Sequence, residues 1–302
     1  MSQKATVAVF LVSLVLSGCK TVGHAPSETM QVKQMRVNGA DLAYIEDGRG
    51  DPVVFVHGAF GDWRNWEGMR PFIASRYRFV SLSLRYHYPN AWPDTGENYS
   101  MAQHVDDVAQ FIRQLDVGKV HLVGTSFAGR LVGYVALKYP DLLRSVTMGD
   151  PAIIPPVSDA GKAALVEFQK DVGKAAAAAK AGDDKTATIL LYNAVLDDAN
   201  AFQKAPLAVQ RSVLDNARTV PLLWVRPTTL PTTCDELASL KVPTLVVTGE
   251  NTRANFRYGN EMLIGCLPKS TATAIIPSAP HNWYAANPEA GARAILAFIS
   301  QH

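Results

Sequence analysis

Short apolar runs of strand length, separated by helical patterns, set the limits on what this chain can fold into. Pro52–Val56 is continuously apolar, as expected of a strand buried on both faces in a parallel sheet. Tyr77–Leu84, Lys119–Gly124, Leu142–Met148, Val242–Thr248 and Thr273–Ile276 have the same strand character. Helical patterns lie between them. Met101–Leu115 carries Val105, Val108, Ala109, Ile112 and Leu115 at helical spacing behind the capping residue Ser100. Asn65–Ala74, Phe127–Tyr139, Phe256–Leu267 and Pro288–Ile299 read as further helices. The alternation breaks only between Pro155 and Thr233, where the patterns are all helical, among them Gly161–Val172 and Ala187–Leu196. The chain opens with a hairpin, Gln31–Val37 and Leu42–Glu46 around Asn38–Gly39. Together these predict an α/β fold: a mostly parallel twisted sheet with helices on both faces and an inserted helical lid. The core takes residues 31–154 and 234–302, and the lid takes 155–233.

Active sites in such sheets collect at the carboxyl ends of the strands, so the residues there carry the functional reading. The Lys119–Gly124 run ends in Gly124-Thr125-Ser126-Phe127-Ala128-Gly129. A serine pinned at a strand-to-helix corner between small residues has the layout of a nucleophile elbow, whose tight turn holds the hydroxyl clear of the backbone. The G-x-S-x-G pattern would put glycine at 128; this chain has Ala128, small enough for the strand and helix to approach. His57-Gly58-Ala59-Phe60-Gly61 follows the Pro52–Val56 run, Asp150 follows Leu142–Met148, Glu250 follows Val242–Thr248, and Ser278-Ala279-Pro280-His281 follows the last strand.

Three of these landmarks, His57-Gly58, the elbow at Ser126 and the segment ending in His281, occur in the order that marks the α/β-hydrolase family, which the chain resembles from Gln31 to its end. Within it, the chain is similar to a lidded branch of esterases, haloperoxidase-like enzymes, and epoxide or haloalkane hydrolases. The last two use an aspartate nucleophile, so Ser126 points to acyl transfer. The resemblance implies Ser126 as nucleophile and His281 as its base. It further implies an oxyanion hole from the Phe127 N–H and a second N–H after His57-Gly58, that of Ala59 or else Phe60. The acid departs from the family pattern. After the seventh strand Gly-Glu-x-Asp is usual, and here Gly249-Glu250-Asn251-Thr252 puts threonine in the aspartate position. Asp150 is the preferred substitute, with Glu250 as the alternative.

The aromatic residues Trp63, Trp66, Tyr86, Tyr88 and Trp92 gather near strand ends. Phe60, Trp63, Tyr86 and Trp92 are the candidate pocket walls, suited to a small or medium apolar ester. More than half of the cluster is expected to be core or lid packing. The implied activity is a serine esterase working through an acyl-enzyme. The alternatives are a cofactor-free perhydrolase or haloperoxidase-like enzyme, or a non-catalytic binding module on the same fold. No metal-ligand spacing, P-loop or dinucleotide glycine fingerprint occurs, so no cofactor or metal is expected. The net charge of +2 in 302 residues gives no reason to expect nucleic acid as a partner.

The N-terminal residues stand apart from the fold. Lys4 precedes the apolar run Ala5–Leu16, too short to span a membrane and right for a signal-peptide core. It ends in Leu16-Ser17-Gly18-Cys19, which resembles the lipobox of bacterial lipoproteins. That resemblance implies a signal peptide over 1–18, acylation of Cys19 and a polar tether over 19–30. Lys20, in place of an aspartate, implies the outer membrane, facing the periplasm. Cys234 and Cys266 would then meet an oxidising compartment; whether they pair is left open by sequence.

Overall fold

The computed structural model describes residues 30–151 and 158–302, and the folded body runs from Gln31 to His302. The signal peptide, Cys19 and most of the tether lie outside the described residues, as do the first residues of the expected insertion. Eight strands form one sheet: β1 (Lys33–Val37), β2 (Ala40–Asp47), β3 (Pro52–Val56), β4 (Arg78–Leu82), β5 (Val120–Thr125), β6 (Leu143–Gly149), β7 (Thr244–Gly249) and β8 (Ala272–Ile276), in the order β1-β2-β4-β3-β5-β6-β7-β8. Only β2 runs against the rest. Asn38 and Gly39, both with positive φ, make the tight turn between β1 and β2. The central strands β3 and β5 are buried along their whole length.

Helices cover both faces. The predicted Asn65–Ala74 helix is two shorter pieces, a 3-10 turn (Trp63–Trp66) and α1 (Arg70–Ala74). Pro71 has no N–H and is tolerated only in a first turn, so a helix has to begin just ahead of it. α2 (Met101–Gln114) is capped by the Ser100 side chain, which accepts from the Gln103 N–H. α3 (Phe127–Lys138) follows the elbow. The insertion after β6 carries α4 (Asp159–Lys180), α5 (Asp184–Leu196), α6 (Ala201–Lys204), α7 (Leu207–Asp215) and α8 (Leu222–Val225). Its described residues contain no strand, as the pattern predicts. Its core of Ala175, Ala187, Leu191, Val195 and Val220 closes on Phe256, so the insertion packs directly above the strand ends.

The chain returns through α9 (Cys234–Ala238), then α10 (Ala254–Cys266), α11 (Trp283–Ala286) and α12 (Pro288–Ile299). Cys234 and Cys266 are disulfide-bonded, with Cα atoms 4.8 Å apart, which closes the question left open by sequence. β7 begins at Thr244 rather than Val242, because Pro243 has no N–H to give to a ladder. Among the described residues no helix is long and apolar enough to cross a membrane.

Candidate active site

The first functional side chain stands at the strained corner between β5 and α3. Ser126 has φ 56° and ψ −118°, a left-handed position that is costly for a residue with a Cβ. Its N–H donates to the Gly149 carbonyl at 2.7 Å, tying the corner to the end of β6. Close approach explains the small residues. A Cβ at Gly124 would lie 2.3 Å from the Ala128 carbonyl oxygen, and one at Gly129 would lie 2.7 Å from the Gly149 carbonyl oxygen. The helix therefore meets the sheet at Gly129, and the methyl of Ala128 is accommodated in the core with no exposure.

Beside this corner ends β3, paired with β5 through Val56 and Gly124. Here His57 is fully buried, and burial pulls its pKa down to about 3. The ring is neutral, and its tautomer follows from its partners. Nε2 accepts from the Leu84 N–H at 2.9 Å, so Nδ1 carries the proton and donates to the Gly58 carbonyl at 2.7 Å. That carbonyl also accepts from the Gly61 N–H at 3.2 Å. In a trans peptide the C=O and N–H point opposite ways. Fixing the Gly58 oxygen therefore fixes the Ala59 N–H in the opposite direction, where it has no acceptor among the described residues. Phe127 opens α3, so its N–H has no partner within the helix either. Two amides from neighbouring strand ends are thus left free, as an oxyanion hole requires.

The candidate base and its candidate carboxylate come from the other side. His281 is buried, with its ring stacked on Phe256 at a centroid separation of 3.9 Å. Its Nδ1 lies 3.4 Å from Oδ2 of Asp150, a fully buried carboxylate whose Oδ1 accepts from Asn260 at 2.6 Å. Geometry favours Asp150 over Glu250 for a local reason. A Cβ on Gly249 would lie 2.3 Å from the Pro280 carbonyl oxygen. The segment before His281 crosses directly over the bare end of β7 and delivers the ring to the end of β6. Glu250 stays beside that crossing, exposed, and accepts from the Ser278 N–H at 2.6 Å. It supports the loop that carries His281.

Ser126 and His281 share a narrow cavity of about 30 Å³ with Ala59 and Phe60. Ser126 and Phe127 also stand on the wall of a larger one, about 440 Å³, roofed by the insertion through Phe168, Val172, Leu191 and Trp224. Phe60 borders both, together with a third cavity of about 370 Å³ that includes Trp63. Of the four expected pocket aromatics, Phe60 alone lines a cavity containing Ser126; Trp63 lines only the third cavity, and Tyr86 and Trp92 are placed otherwise. Tyr86 is buried with its hydroxyl on Asp94 at 2.8 Å, and Trp92 donates to the Tyr86 carbonyl at 2.6 Å. Neither lines a cavity containing Ser126; they brace their own loop. Trp66 is core against Phe55 and Trp283. His87, in the loop of Tyr86 and Trp92, is buried with Nδ1 against the Gly61 carbonyl at 2.8 Å, and burial holds its pKa well below the usual value.

Sequence reasoning missed Asn260, Phe256 and Arg130. The first two contact Asp150 and His281 from α10; Arg130 lines the large cavity. Their helical spacing carries no signal of this. Asn260 and Phe256 are four residues apart on one helix, a spacing shared by any packed face.

Residues 51–285 match the profile of the alpha/beta hydrolase fold. The chain is similar to the 2-hydroxy-6-oxo-6-(2'-aminophenyl)hexa-2,4-dienoic acid hydrolase of Metapseudomonas resinovorans, 28% identical over 137 residues, covering 42% of this chain and 46% of that one. It is also similar to the 2-(acetamidomethylene)succinate hydrolase of Mesorhizobium japonicum, 31% identical over 118 residues, covering 39% and 42%. The chain thus spans less than half the length of either relative. Among solved structures, the carboxylesterase CesB of Bacillus subtilis superposes with a TM-score of 0.73 at 16% identity, covering 91% of this chain and 93% of that one.

Proposed function

Because the chain belongs to the α/β-hydrolase family, we propose that it is a serine hydrolase cleaving a carboxylic ester of a small to medium apolar substrate. The observation that carries this reading is the strained Ser126 sharing one cavity with His281, whose Nδ1 faces the buried Asp150. His281 takes the Ser126 Oγ proton as Oγ attacks the ester carbonyl carbon. The oxyanion so formed is held by the Ala59 and Phe127 N–H groups. When the C–O bond breaks, the alcohol leaves with the proton from His281 and the acyl group stays on Oγ. Water then attacks the acyl-enzyme, giving a proton to His281, and the acid departs as Ser126 regains its hydrogen. Asp150 keeps His281 in the tautomer that presents Nε2 as base and stabilises the imidazolium. The inserted helices serve as the lid, and their apolar side chains favour an apolar acyl group.

A series of chromogenic short-acyl esters and a fluorophosphonate probe tests the reading. The expected result is turnover, together with a covalent adduct on Ser126. Absence of both would leave the fold as a binding module and overturn the assignment.

The envelope location is proposed on the lipobox and signal sequence, and the Cys234–Cys266 disulfide is in keeping with an oxidising compartment. Replacing Cys19 by serine is expected to move the full-length protein from the membrane fraction to the soluble one. Unchanged partitioning would count against acylation.

A further inference from the structure

The large cavity beside Ser126 contains one charge that the mechanism does not use. Among the described residues lining it, Arg130 is the sole charged one; the rest are apolar or neutral, Gln169, Thr228 and Thr229 among them. Arg130 lies one turn into α3, its backbone N–H bonded to the Ser126 carbonyl at 3.3 Å. Its Nε is buried without a hydrogen-bond partner, and the groups acting on it electrostatically are the Tyr134 and Tyr99 phenols, with no carboxylate among them. Tyr134 is already committed, donating to the Leu230 carbonyl at 3.0 Å. The Tyr99 hydroxyl is itself buried and unpartnered. The nearest compensation is the face of Phe127, with the guanidinium carbon 5.9 Å from the ring centroid.

Burial of Nε and the helix dipole disfavour a cation here, and the Phe127 face and the two phenols offset this only in part. Burial lowers the guanidinium pKa from its ordinary value, yet arginine remains charged at neutral pH. The first turn of a helix is the positive end of its dipole, where cations are destabilised and anions stabilised. A buried charge without a partner costs several kcal/mol in general. Packing alone would be served as well by leucine or methionine. A guanidinium held open in a cavity next to the nucleophile is completed only by an anion that arrives from outside.

We propose that Arg130 forms the anion subsite of the acyl pocket, and that the substrate is an ester whose acyl group carries a second, free carboxylate. The charge count selects a carboxylate. One guanidinium neutralises one negative charge and matches the two oxygens of a carboxylate with its paired donors. A phosphate monoester would bring close to two charges to a cavity with one cation. The apolar walls accommodate the carbon chain between the two carbonyl groups, and the Ser126 acyl-enzyme would be the monoester of a dicarboxylic acid. This inference rests on the serine hydrolase reading for its substrate, though not for the anion site itself.

The test compares two para-nitrophenyl esters of similar length, the hydrogen glutarate and the pentanoate, as the ratio of their kcat/KM values. Wild-type protein should favour the glutarate. Arg130→Gln should cut the ratio by about 30-fold, in line with a charge-assisted hydrogen-bonded pair, and Arg130→Lys should recover part of it. The thermal midpoint of Arg130→Gln should hold or rise, since an uncompensated charge is removed; a fall with an unchanged ratio would mark a structural role and overturn the subsite. Binding provides a readout independent of catalysis. Glutarate should raise the thermal midpoint of Ser126→Ala, and the rise should vanish in Ser126→Ala/Arg130→Gln. Turnover of both esters with no preference and no glutarate binding would sink the anion subsite and leave the hydrolase reading standing. Glutarate binding through Arg130 without turnover of either ester would do the reverse.

Discussion

Replacing Asp150 by asparagine is expected to lower kcat by about four orders of magnitude, whereas Glu250→Gln should keep activity within a few-fold of wild type. The two carboxylates end adjacent strands, and sequence alone leaves both in contention. They differ in what they touch. Asp150 faces His281 Nδ1 at 3.4 Å and is steadied by Asn260. An asparagine there can present its NH₂ to the ring, forcing the wrong tautomer, and it cannot balance the imidazolium that forms during attack. Glu250 accepts one backbone N–H, that of Ser278, and the oxygen of a glutamine accepts it equally well. Steady-state kinetics on a short-acyl ester separate the outcomes. Wild-type kcat in Asp150→Asn, or collapse in Glu250→Gln with the fold intact, would transfer the role to Glu250.

A stability effect of comparable weight is expected at Asp62, which takes no part in the chemistry. Its carboxylate is fully buried and gathers five donors: the Arg64 N–H at 2.9 Å, Arg64 Nε at 2.8 Å and Nη2 at 2.7 Å, Ser212 Oγ at 3.2 Å and Asn216 Nδ2 at 2.7 Å. Asp62 follows the loop that offers the Ala59 N–H, while Ser212 and Asn216 belong to the inserted block. Asn216 in turn accepts from the Tyr88 N–H at 2.8 Å. One carboxylate therefore joins the oxyanion loop, the insertion and the aromatic loop. Asp62→Ala removes the shared acceptor of Arg64 Nε, Ser212 and the Arg64 N–H, while Arg64 Nη2 keeps Asp215 and Asn216 keeps the Ser212 carbonyl; it should lower the unfolding free energy by about 3 kcal/mol. A shift in the denaturant midpoint at constant slope measures it. The exposed pair of Arg36 and Asp41, 3.0 Å apart, is the control: Asp41→Ala should cost no more than about 1 kcal/mol. A similar small effect at Asp62 would show that the network does not hold the insertion in place.

What the sequence reveals and what it hides divide along the range of the interactions involved. The strands, the capped helix α2, the hairpin turn and the elbow are written in neighbouring residues, and each is found within a residue or two of its expected place. The order of Ser126 and His281 needs only strand ends, which apolar runs disclose. The acid is different, because its identity depends on where the segment before His281 crosses, and that is set by the absence of a side chain on Gly249. Nothing local distinguishes an aspartate under that crossing from a glutamate beside it. Aromatic residues mislead in a similar way. Tyr86 and Trp92 have the composition of a pocket wall, but the Tyr86 hydroxyl is engaged with Asp94 and the Trp92 N–H with the Tyr86 carbonyl, a fact of three-dimensional neighbours. Arg130 is the extreme case. On a helix first turn nothing in the sequence sets it apart from a solvated charge, and only the helices of the insertion make it a half-buried one on a cavity wall.

The bare end of β7 also separates ancestry from mechanism. Since the histidine-bearing segment lies across that end on its way to β6, the base passes two potential homes for a carboxylate. An acid at the end of β6 can therefore face the histidine with no carboxylate at 252. Threonine at 252 then need not record a lost enzyme. Under the proposed assignment, Asp150 at the end of β6 takes the part that the family pattern gives to an aspartate at 252.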